Sequence, residues 1–145
     1  MLPMHFKFYK DLPVEARNIR QKVFVDEQGF EHEFDTIDTT ATHLIIFDDN
    51  GAIATARLFR GKSEENFIVG RIAVLPTYRN KHIGAKMMEI LQTKIKELGG
   101  KTIVLSAQCR VRPFYEKQGY EAQGQAYLEG LCEHIKMVKT LVSTK

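Results

Sequence analysis

At 145 residues the chain has room for one ordinary domain and none for a second sizeable core. Its composition, 43% hydrophobic and 27% charged, is that of a globular protein and excludes a disordered one. A formal net charge of only +3 supplies no field for holding nucleic acid.

The two cysteines, Cys109 and Cys132, fit neither a zinc pattern nor a dense disulfide framework, so a reducing compartment is expected. There is no basic-then-apolar leader pattern and no apolar run long enough to span a bilayer. These features predict a single cytoplasmic domain over residues 1–145 that engages no membrane. Charge is uneven along it: Asp26, Glu27, Glu31, Glu33, Asp35 and Asp38 crowd the first half, whereas the stretch from Arg71 to Arg112 is rich in Lys and Arg. That asymmetry suits an anionic cofactor held by the second half.

In chain order, His5 to Tyr9 alternates as a short strand, and Asp11-Leu12-Pro13 introduces a helix over Val14 to Val25 whose buried face carries Ala16, Ile19 and Val23. Asp26 to Thr42 lacks periodicity and reads as a long irregular or partly helical connection, a type that often serves function. Strands follow at His43 to Asp48 and Ala52 to Phe59, joined by Asp49-Asn50-Gly51, where Asn and Gly both tolerate positive φ. Phe67 to Leu75 is a third strand, stopped by Pro76. After a polar loop, Ile83, Met87, Leu91, Ile95 and Leu98 mark one stripe of a helix ended by Gly99-Gly100. Thr102 to Ala107 then reads as a strand parallel to the one before the helix, because a helical crossover joins parallel strands. Pro113 opens a short helix to Gln118, and strands at Tyr120 to Leu128 and Glu133 to Leu141 flank a turn at Glu129-Gly130.

Strand, polar loop, helix and parallel strand in this order make an anion site when the loop presents free backbone N–H groups at the helix start. The loop here is Arg79-Asn80-Lys81-His82-Ile83-Gly84-Ala85. Gly84 and Ala85 carry no bulk, and Arg79 and Lys81 add charge from the flank. On spacing alone the same residues also suit a plain solvated loop.

Three segments together resemble the GNAT superfamily of N-acetyltransferases, and within it a small ElaA-like branch, over nearly the whole chain. Arg71 to Ala85 looks like the superfamily's pyrophosphate motif, Arg/Gln-x-x-Gly-x-Gly/Ala. Pro113-Phe114-Tyr115-Glu116-Lys117-Gln118-Gly119-Tyr120 looks like its second cofactor motif, and Arg20-Gln21-Lys22-Val23-Phe24-Val25-Asp26-Glu27-Gln28-Gly29 like the branch's N-terminal signature. One position departs: the first motif glycine is His82, which costs on the order of 1–2 kcal/mol if positive φ is required there and nothing if φ is negative.

The resemblance implies an α/β (α+β) fold. Its sheet is mixed and mostly antiparallel, with six to seven strands, a central splayed parallel pair and about four flanking helices. It implies acetyl-coenzyme A as acyl donor, no metal, and a small-molecule amine or peptide as acceptor. Backbone of Ile72, Ala73 and Val74 would pair with the pantetheine arm, Arg79 to Ala85 would hold pyrophosphate, and Phe114 and Tyr115 would lie against the thioester.

The chemistry makes its own demands. An alkyl amine with a pKa near 10.4 is free base in only about one molecule in 2,500 at pH 7, so a base is useful; the departing thiolate, with a thiol pKa near 8.5, gains from a proton donor. Tyr115 is the expected donor, its alternative being aromatic packing with Phe114 and Tyr120. Glu27, Glu33, Asp35, Asp38 and His43 are candidate bases or amine ligands, each equally readable as a loop charge, and Gln108 is a candidate for orienting substrate. Cys109 beside Arg110 and Arg112 offers a covalent route that direct transfer does not need. His5, His32 and His134 show no metal-ligand spacing. A non-catalytic acyl-coenzyme A sensor or partner-binding module is the alternative to an enzyme, and the terminal strands leave a homodimer open.

Overall fold

The computed structural model describes residues 4–31 and 33–141, so the readings of His32 and of the first three residues fall outside it. In chain order the described residues form β1 (His5–Tyr9), α1 (Val14–Arg20), β2 (Thr42–Asp48), β3 (Gly51–Arg60), β4 (Asn66–Val74), α2 (Ile83–Glu97), β5 (Thr102–Gln108), α3 (Arg112–Lys117), β6 (Glu121–Glu129) and β7 (Cys132–Thr140). The strands make one seven-stranded sheet in the order β1-β2-β3-β4-β5-β7-β6. The chain divides into two compact units. The first holds the described residues up to Phe59 together with Arg71–Glu89; the second holds Arg60–Gly70 and the described residues from Ile90 onward.

In the first unit β1 and β2 are antiparallel, and the cross-strand partners His5 and Phe47 stack their rings 5.0 Å apart. The turn between β2 and β3 differs from the expected Asn-Gly geometry. Only Gly51 is left-handed, at φ 120°, and the Asp48 carboxylate takes the Asn50 N–H at 2.8 Å. A side-chain acceptor thus does the work that a second left-handed residue would do.

The helix expected from 14 to 25 is α only to Arg20, and Gln21–Glu27 continues it as a π-helix. The wider turn brings residues five apart toward one face, and Ile19, Val23 and Phe24 are buried together with Ala73. Phe30 returns to this cluster, its ring edge-on to Phe24, while Gly29 at φ 75° donates its N–H to the Val25 carbonyl. Four of the five stripe positions of α2 (Ile83, Met87, Leu91 and Ile95) are buried as the periodicity demands; Leu98, past the helix end, is exposed.

In the second unit β4 and β5 pair in parallel over three residues each, Asn66–Ile68 with Thr102–Val104, and the register then ends. That is the splayed parallel pair the sequence led us to expect. β5 and β7 are antiparallel along their length, and β6 pairs with β7 through a bulge between Gln123 and Tyr127. Gly100 closes α2 by donating its N–H to the Ile95 carbonyl at 2.8 Å. A Cβ there would collide with the Ile95 side chain and lie 2.7 Å from Phe67 Cδ1. Gly100→Ala is therefore expected to destabilise the protein by about 1–3 kcal/mol through overpacking, read as a lowered urea midpoint at unchanged m-value.

Candidate active site

β4 ends at Val74, Pro76–Tyr78 makes a single 3₁₀ turn, and α2 begins at Ile83. Between them two residues without glycine's freedom are left-handed: Asn80 at φ 63° and His82 at φ 62°. His82 holds the N-cap place, its carbonyl accepting the first intrahelical bond from the Lys86 N–H at 3.1 Å. By helix geometry the N–H groups of Ile83, Gly84 and Ala85 have no acceptor within α2, and the helix dipole adds partial positive charge where they point. Lys81 and Lys86 are exposed on either side of this start. Backbone donors, small residues and two cations fit a pyrophosphate.

Arg79 is directed elsewhere than the anion site. Its Nε donates to the Val74 carbonyl at 3.0 Å, and its two terminal nitrogens donate to the two carboxylate oxygens of Glu27 at 2.7 and 2.8 Å. The hydrogen bonds it donates to Glu27 raise the Arg79 pKa further above its ordinary value. The fork ties the end of the π-helix to the start of the loop, and it neutralises both the expected phosphate cation and the expected amine ligand. Ile72 and Val74 are half-buried at the end of β4, and Ala73 between them is buried.

Most of the remaining base candidates sit in a buried lattice of charge. Arg20, only 1% exposed, donates to Glu33 Oε2 at 3.1 Å and to both oxygens of Asp38 at 2.7 and 3.0 Å. Arg57 on β3 binds Asp35 at 2.7 and 3.1 Å and Asp38 at 2.9 Å. Arg71 on β4 completes it, 2.8 Å from Glu33 and 3.3 Å from Asp35. Arg71 is itself left-handed at φ 51°, so its strained backbone is held by a side chain anchored in the lattice.

Burial raises the Asp38 carboxyl, but the hydrogen bonds and charge of Arg20, with a hydrogen bond from Arg57, outweigh it and hold the pKa at about 2. For Glu33 burial wins over the three arginines and the pKa is raised. The hydrogen bond from Arg57 lowers that of Asp35. His43 donates its Nε2–H to the Asp38 carbonyl at 3.0 Å, and burial lowers its pKa. Glu33, Asp38 and His43 are thus built into the interior of the first unit, and Asp35 is bound at its margin. The partners of this acidic segment, Arg20, Arg57 and Arg71, carry no local signal, being 13 to 38 residues away in sequence.

Gln108, Phe114 and Tyr115 belong to the second unit. The chain leaves β5 at Gln108, turns through Cys109–Val111 and enters α3 directly. Tyr115 is buried with its ring edge-on to Phe114 at 5.0 Å and to Tyr120 at 6.0 Å. Burial pushes its pKa up to about 12, so the phenol keeps its proton at neutral pH. This placement serves packing against both rings. Cys109 is a free, half-buried thiol, and among the described residues no group of His, Cys, Asp and Glu has the arrangement of a metal site.

The model of the acetyltransferase (GNAT) domain matches residues 13–141. A Schizosaccharomyces pombe protein named UPF0039 protein C11D3.02c is 34% identical over 140 residues, covering 91% of this chain and 93% of its own. The chain belongs to the GNAT acetyltransferase family. Among solved structures, Escherichia coli ElaA is similar at 26% identity and a TM-score of 0.81, over 96% of this chain and 99% of its own. An acyl-CoA N-acyltransferase from Pseudomonas aeruginosa matches at 26% identity and the same TM-score of 0.81, over 97% of this chain and all of its own. Family membership makes the protein a transferase of the acyl-coenzyme A-using kind, and the mixed seven-stranded sheet is the family's fold. No helix among the described residues is long and apolar enough to cross a membrane.

In this GNAT acetyltransferase the left-handed φ of His82 explains why a glycine suits that place in the motif. His82→Gly should relieve strain while adding freedom to the unfolded chain, for a net gain of up to about 1 kcal/mol in thermal or urea unfolding. The lattice should respond in the opposite sense: Asp38→Ala leaves Arg20 and Arg57 short of a buried partner and should cost about 3–5 kcal/mol. Because the folded-state pKa of Asp38 lies near 2, below its ordinary 3.8, its contribution is present above about pH 4 and lost as pH falls toward 2. Glu33 acts with the other sign, its raised pKa making ionisation above 4.5 unfavourable to the fold. An acid-unfolding series should show that low-pH limb in the parent protein and its loss in Asp38→Ala.

Proposed function

We propose that residues 1–145 form one catalytic domain that transfers acetyl from acetyl-coenzyme A directly to a primary amine of a small molecule or peptide. The observation that carries this reading is the start of α2, where left-handed Asn80 and His82 precede three backbone donors, flanked by Lys81 and Lys86. Pyrophosphate bound there makes use of N–H groups that folding leaves without partners. The backbone of Ile72, Ala73 and Val74, just past the point where the β4–β5 register ends, is the receptor for the amide-bearing pantetheine arm.

Tyr115 then serves the leaving sulfur. A phenol with a pKa near 12 is protonated across the working pH range. It is a weaker acid than a thiol of pKa about 8.5, so its contribution is a hydrogen bond that steadies the thiolate as the C–S bond breaks. Phe114 lines the thioester, and Gln108 at the end of β5 orients the acceptor. Glu27 takes part through Arg79, as the clamp that positions the phosphate loop.

The test is thiol release during incubation with acetyl-coenzyme A and a panel of amines. Tyr115→Phe should lower turnover by about 100-fold while changing the dissociation constant for acetyl-coenzyme A by less than about 3-fold. Equal losses in both would return Tyr115 to a packing role, and acetyl-coenzyme A binding without turnover across the panel would favour a sensor.

A further inference from the structure

The helix that carries Tyr115 is six residues long, far below the length at which a helix holds together by itself in water. Its start has Pro113 in the first turn and an exposed pair between Arg112 and Glu116, which contributes little. The order in α3 has to come from its other end.

There the chain makes a Schellman turn. Gly119, left-handed at φ 93°, donates its N–H to the Glu116 carbonyl at 3.0 Å, and Tyr120 donates its own to the Tyr115 carbonyl at 3.1 Å. The side chains repeat the link, since the rings of Tyr115 and Tyr120 meet edge-on. Backbone and ring of Tyr115 are therefore both set by where the Gln118-Gly119-Tyr120 turn lies.

One side chain from β7 holds that turn. Lys139 Nζ donates to the Gln118 carbonyl at 2.8 Å and to Gln92 Oε1, on α2, at 2.6 Å. It also stands 6.0 Å from the centre of the Tyr120 ring, at the outer reach of a cation–π contact. Its stem lies along the bare face of Gly119, where a Cβ would come within 3.1 Å of Lys139 Cε. The backbone of Lys139 is fixed opposite Ile103 in the β5–β7 ladder, and its neighbour Val138 faces Glu121, the first residue of β6.

An ammonium at a helix C-terminus also meets the negative end of the helix dipole. Burial lowers the Lys139 pKa and the charge of Lys96 lowers it further, so these contacts keep a cation in a place that disfavours one. Gln92, Tyr115, Gln118, Tyr120 and Lys139 all belong to the second unit.

We propose that Lys139, anchored by Gln92, is a positioning residue for acetyl transfer: by holding the Gln118-Gly119-Tyr120 turn it fixes the Tyr115 hydroxyl at the leaving sulfur. This rests on the acetyl-transfer reading above. Lys139 touches neither donor nor acceptor in this role and acts through Tyr115 alone. A hydrogen bond to a forming thiolate is sensitive to placement on the scale of an ångström, and a helix this short, released at its C-terminal end, leaves Tyr115 without a fixed direction.

The test compares Lys139→Met and Lys139→Arg with the parent protein, and places Lys139→Met in a Tyr115→Phe background. Thiol release is followed with acetyl-coenzyme A and three amines, butane-1,4-diamine, glucosamine and glycylglycine. Lys139→Met should lower kcat by about 30-fold with the best of them, while the calorimetric dissociation constant for acetyl-coenzyme A changes by less than about 3-fold. Lys139→Arg, which keeps a cationic donor, should stay within about 3-fold of the parent in both. In the Tyr115→Phe background Lys139→Met should cost less than about 3-fold, because the group it misplaces is already gone. Gln92→Leu leaves β7 untouched and should lower kcat in the same direction, which keeps the test open if Lys139→Met does not fold. Amide hydrogen exchange needs no acceptor: Gly119 and Tyr120 should exchange about 10-fold faster in Lys139→Met while the β5–β7 ladder keeps its protection. Losses that multiply in the double variant, an equal loss of acetyl-coenzyme A affinity, or unchanged exchange at Gly119 and Tyr120 would overturn the role of Lys139. A Tyr115→Phe protein as fast as the parent would instead overturn the reading of Tyr115, and this one with it.

Discussion

Three guanidinium groups in the first unit have to be met by carboxylates, and much of that unit's form follows from this requirement. Arg20 from α1, Arg57 from β3 and Arg71 from β4 converge on Glu33, Asp35 and Asp38, all of which come from one connection. An unpaired charge in such a place would cost several kcal/mol, so the connection cannot wander without leaving a buried cation behind. The segment therefore has little regular structure and is nonetheless fixed. The same lattice reaches the strand that precedes the phosphate loop, because Arg71 holds a left-handed φ in β4 while its side chain is gripped by Glu33.

A second clamp works on the loop itself. Arg79 is forked onto Glu27 and bonded to the Val74 carbonyl, which fixes the exit from β4 before the chain turns through Asn80 and His82. What remains at the start of α2 is mostly backbone. Such a site binds through N–H groups whose positions are set by the fold, and it gains little from any one side chain. The strain at two left-handed residues is local and is compensated by the packing of the α2 stripe below them, Ile83, Met87, Leu91 and Ile95.

Local periodicity carried most of the fold. The α2 stripe, the alternation in β1 and the order of strand, loop, helix and parallel strand could all be read because each lies within one contiguous stretch. Elsewhere the deciding partner was remote or geometric. Nothing near Glu33, Asp35 and Asp38 announces Arg57 or Arg71, so loop charges and lattice members look alike in sequence. The π-helix at Gln21–Glu27 depends on burying Phe24 against Ala73, and the altered turn at Asn50 depends on the side chain of Asp48. At the site, the motif positions on α2 and α3 were legible by resemblance, as was the departure at His82. The direction of Arg79 was not, because its partner Glu27 lies 52 residues earlier.

The account stands on the loop between β4 and α2 as the place where the donor's phosphates are held. Its most direct test is backbone amide mapping by NMR during titration with acetyl-coenzyme A. Resonances of Asn80 through Ala85 should move first and furthest, accompanied by those of Ile72 and Val74 at the end of β4. Saturable binding that leaves these amides in place while others move would contradict it.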